Sequence, residues 1–320
     1  MNKELLLSIF KIPSPSYQES EMQNFIIDFL TKNSVEWEVD GKGNIYNISY
    51  PGRPLLSAHM DTVQKEADVY MAKHIYIQKD ILTGYGVIGA DDKAGIYSIL
   101  YLLTNSSEKF NFVFSVEEEV GAIGAEFFVK HNDLKHMTYA LILDRKGSSD
   151  IICTKNEYGT DEFEFALTEI GRSFNFHPAM GVFSDADKIS DQISCANLSI
   201  GYYNQHTKSE YLVLSELSNS ISYVHALVKN IDMTFKAPEK SFSYFGFGQR
   251  YNFKDEESKY FDDLDKPTES KFRNNFIGCD ACGKNMKTVY ISTINSYICD
   301  SCYDDLVEEL MVIDSNRQFG

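Results

Sequence analysis

The chain has 320 residues, 43% of them hydrophobic, with 47 acidic against 30 basic side chains and a formal charge of −17. That apolar share excludes disorder as the overall state, and the length suits one substantial domain plus a small one. The acidic excess repels phosphate backbones, which argues against nucleic acid as a partner, and no apolar run approaches the roughly 18 residues a membrane span needs.

Taken in chain order, the first 30 residues are expected to be helical. Ser16 and Glu19 have capping-box spacing just after Pro15, and Met22, Phe25, Ile26 and Phe29 recur at helical intervals. An apolar run from Pro54 to Ala58 reads as a buried strand and ends at His59-Met60-Asp61. Gly89-Ala90-Asp91-Asp92-Lys93 then opens a helix carrying Ile96, Ile99, Leu100 and Leu103. A second strand-like run, Asn111 to Val116, ends at Glu117-Glu118-Glu119. A third, Ala140 to Leu143, ends at Asp144, and a fourth, Leu198 to Gly201, leads within five residues to His206. A helix from about Leu217 to Ile231 places Ile221, Val224, Leu227 and Val228 on one face. Buried strands alternating with helices predict an α/β fold, a three-layer α/β/α sandwich around a mixed, mainly parallel sheet.

Polar residues fall at the carboxyl ends of those strands, where open α/β sheets form their sites. Singly, each has a bland explanation: His-x-Asp as a surface turn, three glutamates as a solvated face, Asp-Asp as a helix cap. Together, two histidines and three carboxylates at one sheet edge would carry a dense negative charge. Metal ions remove that penalty, and nitrogen and oxygen ligands suit zinc.

These segments resemble the co-catalytic zinc exopeptidases. The runs Leu55-Leu56-Ser57-Ala58-His59-Met60-Asp61-Thr62-Val63, Gly89-Ala90-Asp91-Asp92-Lys93-Ala94-Gly95 and Glu118-Glu119-Val120-Gly121 are nearest to the peptidase T (tripeptide aminopeptidase) branch and its carboxypeptidase and aminoacylase relatives. Leu141-Ile142-Leu143-Asp144 and the stretch from Asn197 to Tyr211 continue the likeness, which covers residues 1–235. It implies that His59 and Asp144 bind one zinc ion, Glu119 and His206 a second, and Asp91 bridges both, with a cis Asp91–Asp92 peptide. It further implies Asp61 as the hydrogen-bond partner behind His59 and Glu118 as general base, with Mn2+ or Co2+ as alternatives at the catalytic site. Strand alternation sets Glu117 apart as structural.

The chain departs from that family in one respect. Asp144 and His206 are 62 positions apart, and His59 and Asp91 only 32, so neither gap holds the lid and dimerisation domain found in relatives. A lidless catalytic core follows. Asp185 is a weaker candidate for the pocket, Arg172 and His177 weaker still, while His225 reads as a core or boundary residue.

Residues 236–272 read as an aromatic and acidic linker or strap, and 273–320 as a zinc ribbon with a C-terminal tail. Cys279-x-x-Cys282 and Cys299-x-x-Cys302 have the spacing of a closed four-thiolate structural zinc site, with strands expected at Thr288–Ser292 and Ser296–Ile298. Its surroundings are not basic, which favours a protein partner or a packing role. Paired CxxC motifs, and a start without the features of a secretion signal, lead us to expect a reducing, cytoplasmic compartment. The expected function is an aminopeptidase. A deacylase of N-acyl amino acids on the same metals is the alternative, and a non-catalytic binding protein using the ribbon the second.

Overall fold

The computed structural model describes residues 1–64 and 74–240, together with the backbone of 276–278, 285–291 and 296–299. The chain divides into two units, Met1–Ser243 and Tyr244–Gly320. In the first, helices α1 (Lys3–Phe10) and α2 (Ser20–Lys32) precede β1 (Glu38–Val39), β2 (Ile45–Asn47) and the buried strand β3 (Leu55–His59). A hairpin, β4 (Tyr76–Gln78) and β5 (Ile81–Thr83), leads to α3 (Ala90–Asn105), β6 (Asn111–Ser115), α4 (Ile123–His131) and β7 (Ala140–Arg145). There follow β8 (Asp150–Ile152), α5 (Asp161–Gly171), β9 (His177–Ala179), the single turn α6 (Ala186–Ile189) and β10 (Cys195–Ser199). The unit closes with β11 (Tyr202–Tyr203), β12 (Tyr211–Val213) and α7 (Leu214–Asn230).

The main sheet has the order β1-β2-β6-β3-β7-β10-β8-β9. Its centre, β6-β3-β7-β10, is parallel, whereas β2 and β8 join it antiparallel. The central strands are buried almost throughout and mostly apolar because both faces are covered. Leu56, Phe112, Phe114, Leu141 and Leu143 face one core, shared with Leu6, Met22, Tyr97, Phe163 and Leu217 of α1, α2, α3, α5 and α7. Leu55, Val113, Ala140 and Ile142 face the other, with Phe128 of α4 and Ile189 of α6. The predicted three layers are thus present. Gly95 lets α3 lie directly on the sheet, since a Cβ there would stand 2.4 Å from the carbonyl oxygen of Leu143.

Three expectations need correction. The N-terminal helix is two helices, broken around Pro13 and Pro15. Ser16 caps neither. The segment is drawn alongside the end of β3 instead, where Ser16 N–H donates to Thr62 O and its hydroxyl to Asp61 Oδ2 at 2.8 Å. Glu19 stands at the head of α2 without a side-chain cap. The fourth buried strand is Cys195–Ser199, a few residues earlier than read, because Gly201 (φ +89°) already belongs to the turn beyond it.

The span from Asp144 to His206 is filled by β8, α5, β9, α6, β10 and β11, and no lid is inserted there. Between His59 and Asp91 stand the β4–β5 hairpin and the nine undescribed residues 65–73. In the second unit β13 (Phe276–Gly278), β14 (Asn285–Ile291) and β15 (Ser296–Cys299) form an antiparallel sheet that includes the expected hairpin. Cys279, Cys282 and Cys302, the side chain of Cys299 and most of the strap lie outside the described residues. Among the described residues, no helix is long and apolar enough to cross a membrane.

Candidate metal centre

The parallel strands end together, which carries their following residues to one edge. His59 ends β3, Asp144 lies near the end of β7, and Glu118 and Glu119 follow β6. Asp91 comes from the opening turn of α3, where its peptide bond to Asp92 is cis. His206 enters from the turn between β11 and β12.

One carboxylate joins the set. Asp91 Oδ1 is 3.0 Å from His59 Nε2, and Asp91 Oδ2 is 3.3 Å from His206 Nε2. Asp144 Oδ1 stands 3.6 Å from His59 Nε2, and Glu119 Oε1 3.0 Å from His206 Nε2. Two candidate ligand clusters result, His59–Asp91–Asp144 and Asp91–Glu119–His206. A third grouping, His59–Glu118–Glu119, puts Glu118 within reach as well, its Oε2 at 3.9 Å from His59 Nε2.

A buried frame of hydrogen bonds holds these groups. His59 Nδ1 lies 2.9 Å from the main-chain carbonyl of Asp61, which can only accept, so the ring carries its proton on Nδ1. The Asp61 carboxylate stands farther from the ring, at 3.4 Å. It accepts instead from the N–H groups of Glu118 and Glu119, at 2.9 and 3.2 Å, and from Ser16. Asp61 therefore anchors the β6 loop as much as the imidazole, a role that sequence reasoning did not give it. Asp92 accepts from His59 N–H and Gly95 N–H, tying α3 to β3.

Four more residues were given no role from sequence, although Asn197 and Glu210 lie in the segments of family likeness. Asn197 pins the Asp144 main chain from both sides, and the Tyr202 hydroxyl donates to Asp144 Oδ1 at 3.1 Å. Glu210 accepts from Gly89 N–H and Asp91 N–H, linking the segment after His206 to the turn that presents Asp91. Ser115 donates to buried Asp185. The available signal was position: Asn197 lies on the strand leading to His206, and Glu210 follows it by four residues.

The remaining expectations sort plainly. Glu117 turns away and pairs with Lys42 at 2.7 Å. Asp185 is buried near Glu118 without lining the cleft. Arg172 is an exposed residue paired with Glu169, His177 is exposed on β9, and His225 is half-buried on α7.

Charge is concentrated here. Burial works against a proton on His59, yet Asp144, Asp61 and Asp91 raise its pKa well above the ordinary value. Burial likewise opposes His206, which Asp91 and Glu119 push up to about 10. Burial and then the charge of Asp91 raise Asp144 to about 8. Burial raises Glu118 to about 10, opposed by His59 and reinforced by Asp144, Asp185 and Glu119. Asp91 falls below the usual range, its burial outweighed by the two imidazoles. Protons are thus drawn to positions where a cation would serve equally.

The donors fit metal ions on this structure's own geometry. Glu119 Oε1 is buried and receives no hydrogen bond, although His206 Nε2 is 3.0 Å away. In its neutral form, with the proton on Nδ1, His59 would aim the Nε2 lone pair at two carboxylates. Both arrangements leave lone pairs converging on a common point, as ligands of a cation do, and mixed imidazole and carboxylate donors suit zinc.

Residues 55–230 match Peptidase family M20/M25/M40. A Pyrobaculum aerophilum protein named as a LysW-lysine/LysW-ornithine hydrolase is 26% identical over 131 residues, 40% of this chain and 36% of that protein. An Aspergillus niger protein named as a carboxypeptidase is 31% identical over 146 residues, 39% of this chain and 35% of that protein. The match thus spans only about a third of either curated relative. Among solved structures, aminopeptidase PepT from Bacillus cereus superposes with TM-score 0.59 at 16% identity, covering 71% of this chain and 98% of that one. A tripeptidase from Staphylococcus aureus gives 0.58 at 15%, covering 71% and 96%. At such identities the likeness concerns the fold.

Proposed function

We propose, for a chain that belongs to peptidase family M20/M25/M40, metal-dependent hydrolysis of peptide (amide) bonds at the edge of β3, β6 and β7. The observation that carries this reading is the single Asp91 carboxylate, whose two oxygens face two different imidazoles at 3.0 and 3.3 Å. Such a bridge suits a pair of divalent ions, zinc by donor type, with Mn2+ or Co2+ as substitutes. His59 and Asp144 would hold one ion, Glu119 and His206 the other. Bound there, the ions supply an acidified water and an electrophile for the scissile carbonyl.

The chain's own groups do the rest. Glu118 takes a proton from the attacking water and returns it to the departing nitrogen. Its place beside Glu119, grouped with His59, brings it to the ions. Asp61 holds the Glu118 and Glu119 N–H groups, so the base stays aimed at the cleft. His59 keeps its proton on Nδ1, which frees Nε2 to bind.

The substrate stays open between peptides and N-acyl amino acids, since both are amides. Metal analysis of the purified chain, followed by assays on peptides and N-acyl amino acids with Glu118→Gln as control, tests the proposal. Chelator-sensitive release from either class is expected, and abolished in the variant. Two bound ions with no release from any amide would leave a binding protein and remove the reaction.

A further inference from the structure

Above the ligand clusters lies a cleft that is partly open to solvent. The carboxylates that line it belong to Asp91, Glu118, Glu119 and Asp144, and each already has a role at the ions or in proton transfer. The lining cations, Arg145 and Lys146, follow Asp144 directly. Arg145 is committed. Its Nε and one terminal nitrogen donate to Asp150 Oδ2 at 3.0 Å, and that terminal nitrogen also reaches Met180 O. It thereby ties the rim at 180–183 to the end of β7.

Lys146 is different. Its carbonyl is fixed by the buried Ser199 hydroxyl at 2.7 Å. Its exposed ammonium has no hydrogen bond or ion pair among the described residues. Among the described residues, the uncommitted charge in the cleft is therefore positive. Among those residues a free N-terminal ammonium would find no spare carboxylate, whereas an anionic group would find Lys146. Beside it, Gly181, Val182 and Phe183 line the cleft, and Val182 and Phe183 are exposed apolar side chains.

Reach agrees with this. Lys146 follows β7 by one residue, two positions after Asp144, and lines the same cleft; two residues of chain span at most about 7 Å. The carboxylate of a terminal residue lies only about 4 Å from the carbonyl carbon of the bond before it. A lysine side chain spans the remainder.

Resting on the hydrolase reading above, we infer that Lys146 is a specificity residue receiving the free carboxylate of the substrate's last residue. The substrate class is then a short peptide or N-acyl amino acid, cut at its final amide bond, with an apolar side chain resting on Val182 and Phe183.

The test uses the full, zinc-loaded chain and two pairs of probes. N-acetyl-L-phenylalanine and its carboxamide measure binding, while N-acetyl-alanyl-phenylalanine and its carboxamide measure hydrolysis. The acids should bind, and be processed, with about tenfold lower Kd and KM than the amides, the scale of one charge-assisted hydrogen bond. Lys146→Ala should remove that preference by weakening the acids alone, with kcat nearly unchanged, and Lys146→Arg should restore most of it. Equal handling of acid and amide, or a preference that survives Lys146→Ala, overturns the inference. Should neither peptide be cut, the proposed reaction fails, while the binding pair still decides the role of Lys146.

Discussion

The two halves of the candidate centre are built on different supports. His59 and Asp144 come from adjacent, fully covered parallel strands; the His59 side chain is 1% exposed, and Asn197, Asp92 and the Asp61 carbonyl fix both main chain and ring. His206 stands in a turn at φ +65°, with a side chain 44% exposed. A sheet-borne ligand is ordered before any ion arrives, whereas a turn-borne ligand must surrender conformational freedom on binding. Equal donor chemistry should thus give unequal sites, tight at His59–Asp144 and weaker at Glu119–His206.

The largest effect concerns the residue between the halves. Glu118→Gln should lower kcat by about 10²- to 10⁴-fold and leave metal content unchanged. Loss of an ion in that variant would make Glu118 a ligand, as its grouping with His59 and Glu119 allows, and would redraw the boundary between the halves.

Next in size is the contrast itself. His59→Ala strips the only imidazole facing Asp61 and Asp144, and should cost about 3 kcal/mol of stability through uncompensated buried charge, together with the tight ion. His206→Ala removes a half-exposed side chain and should cost less than about 1 kcal/mol, sparing one tightly held ion. Metal titrations and thermal melts of both variants would show this, and identical losses would mean that the halves bind as one unit. Smaller again, Tyr202→Phe deletes the hydroxyl on Asp144 and should weaken the tight ion about tenfold without touching the other.

The subtlest test is pH. His59, His206, Asp144 and Glu118 all have folded-state pKa values above their unfolded ones. The metal-free fold therefore holds more protons than the unfolded chain. Its stability from these groups is full below their unfolded values and fades as pH rises through the folded ones. Asp91, lowered, acts oppositely but is already complete by about pH 5. Melting temperatures of metal-free protein should fall between about pH 6 and about pH 9, and added zinc should flatten the curve. A flat metal-free curve would break this account.

Legibility followed the same division. The buried strands announced themselves as apolar runs, and their polar endings gave His59, Asp144 and the Glu117–Glu119 triplet. Asp61 was noticed for its spacing from His59, yet most of its hydrogen bonds go to the β6 loop and to Ser16, partners 45 to 58 positions away. Ser16 was misread because a capping box is a local pattern, and its actual partner lies across the fold. Tyr202, Asn197 and Glu210 had no role legible in the sequence, since they act through neighbours distant in it.

By itself the sequence determined the alternation of strands and helices and the chemical types gathered at their ends, since burial on both faces requires continuous apolar runs and soluble edges tolerate charge. Tertiary structure alone decided which atoms meet: that Asp91 presents one oxygen to each imidazole, that the Asp61 carbonyl sets the His59 tautomer, and that Lys146, among the described residues, keeps the cleft's free charge. Those outcomes depend on distances of a few ångströms, for Asp91 between residues far apart in the chain, and only the packing of helices and turns on the sheet sets such distances.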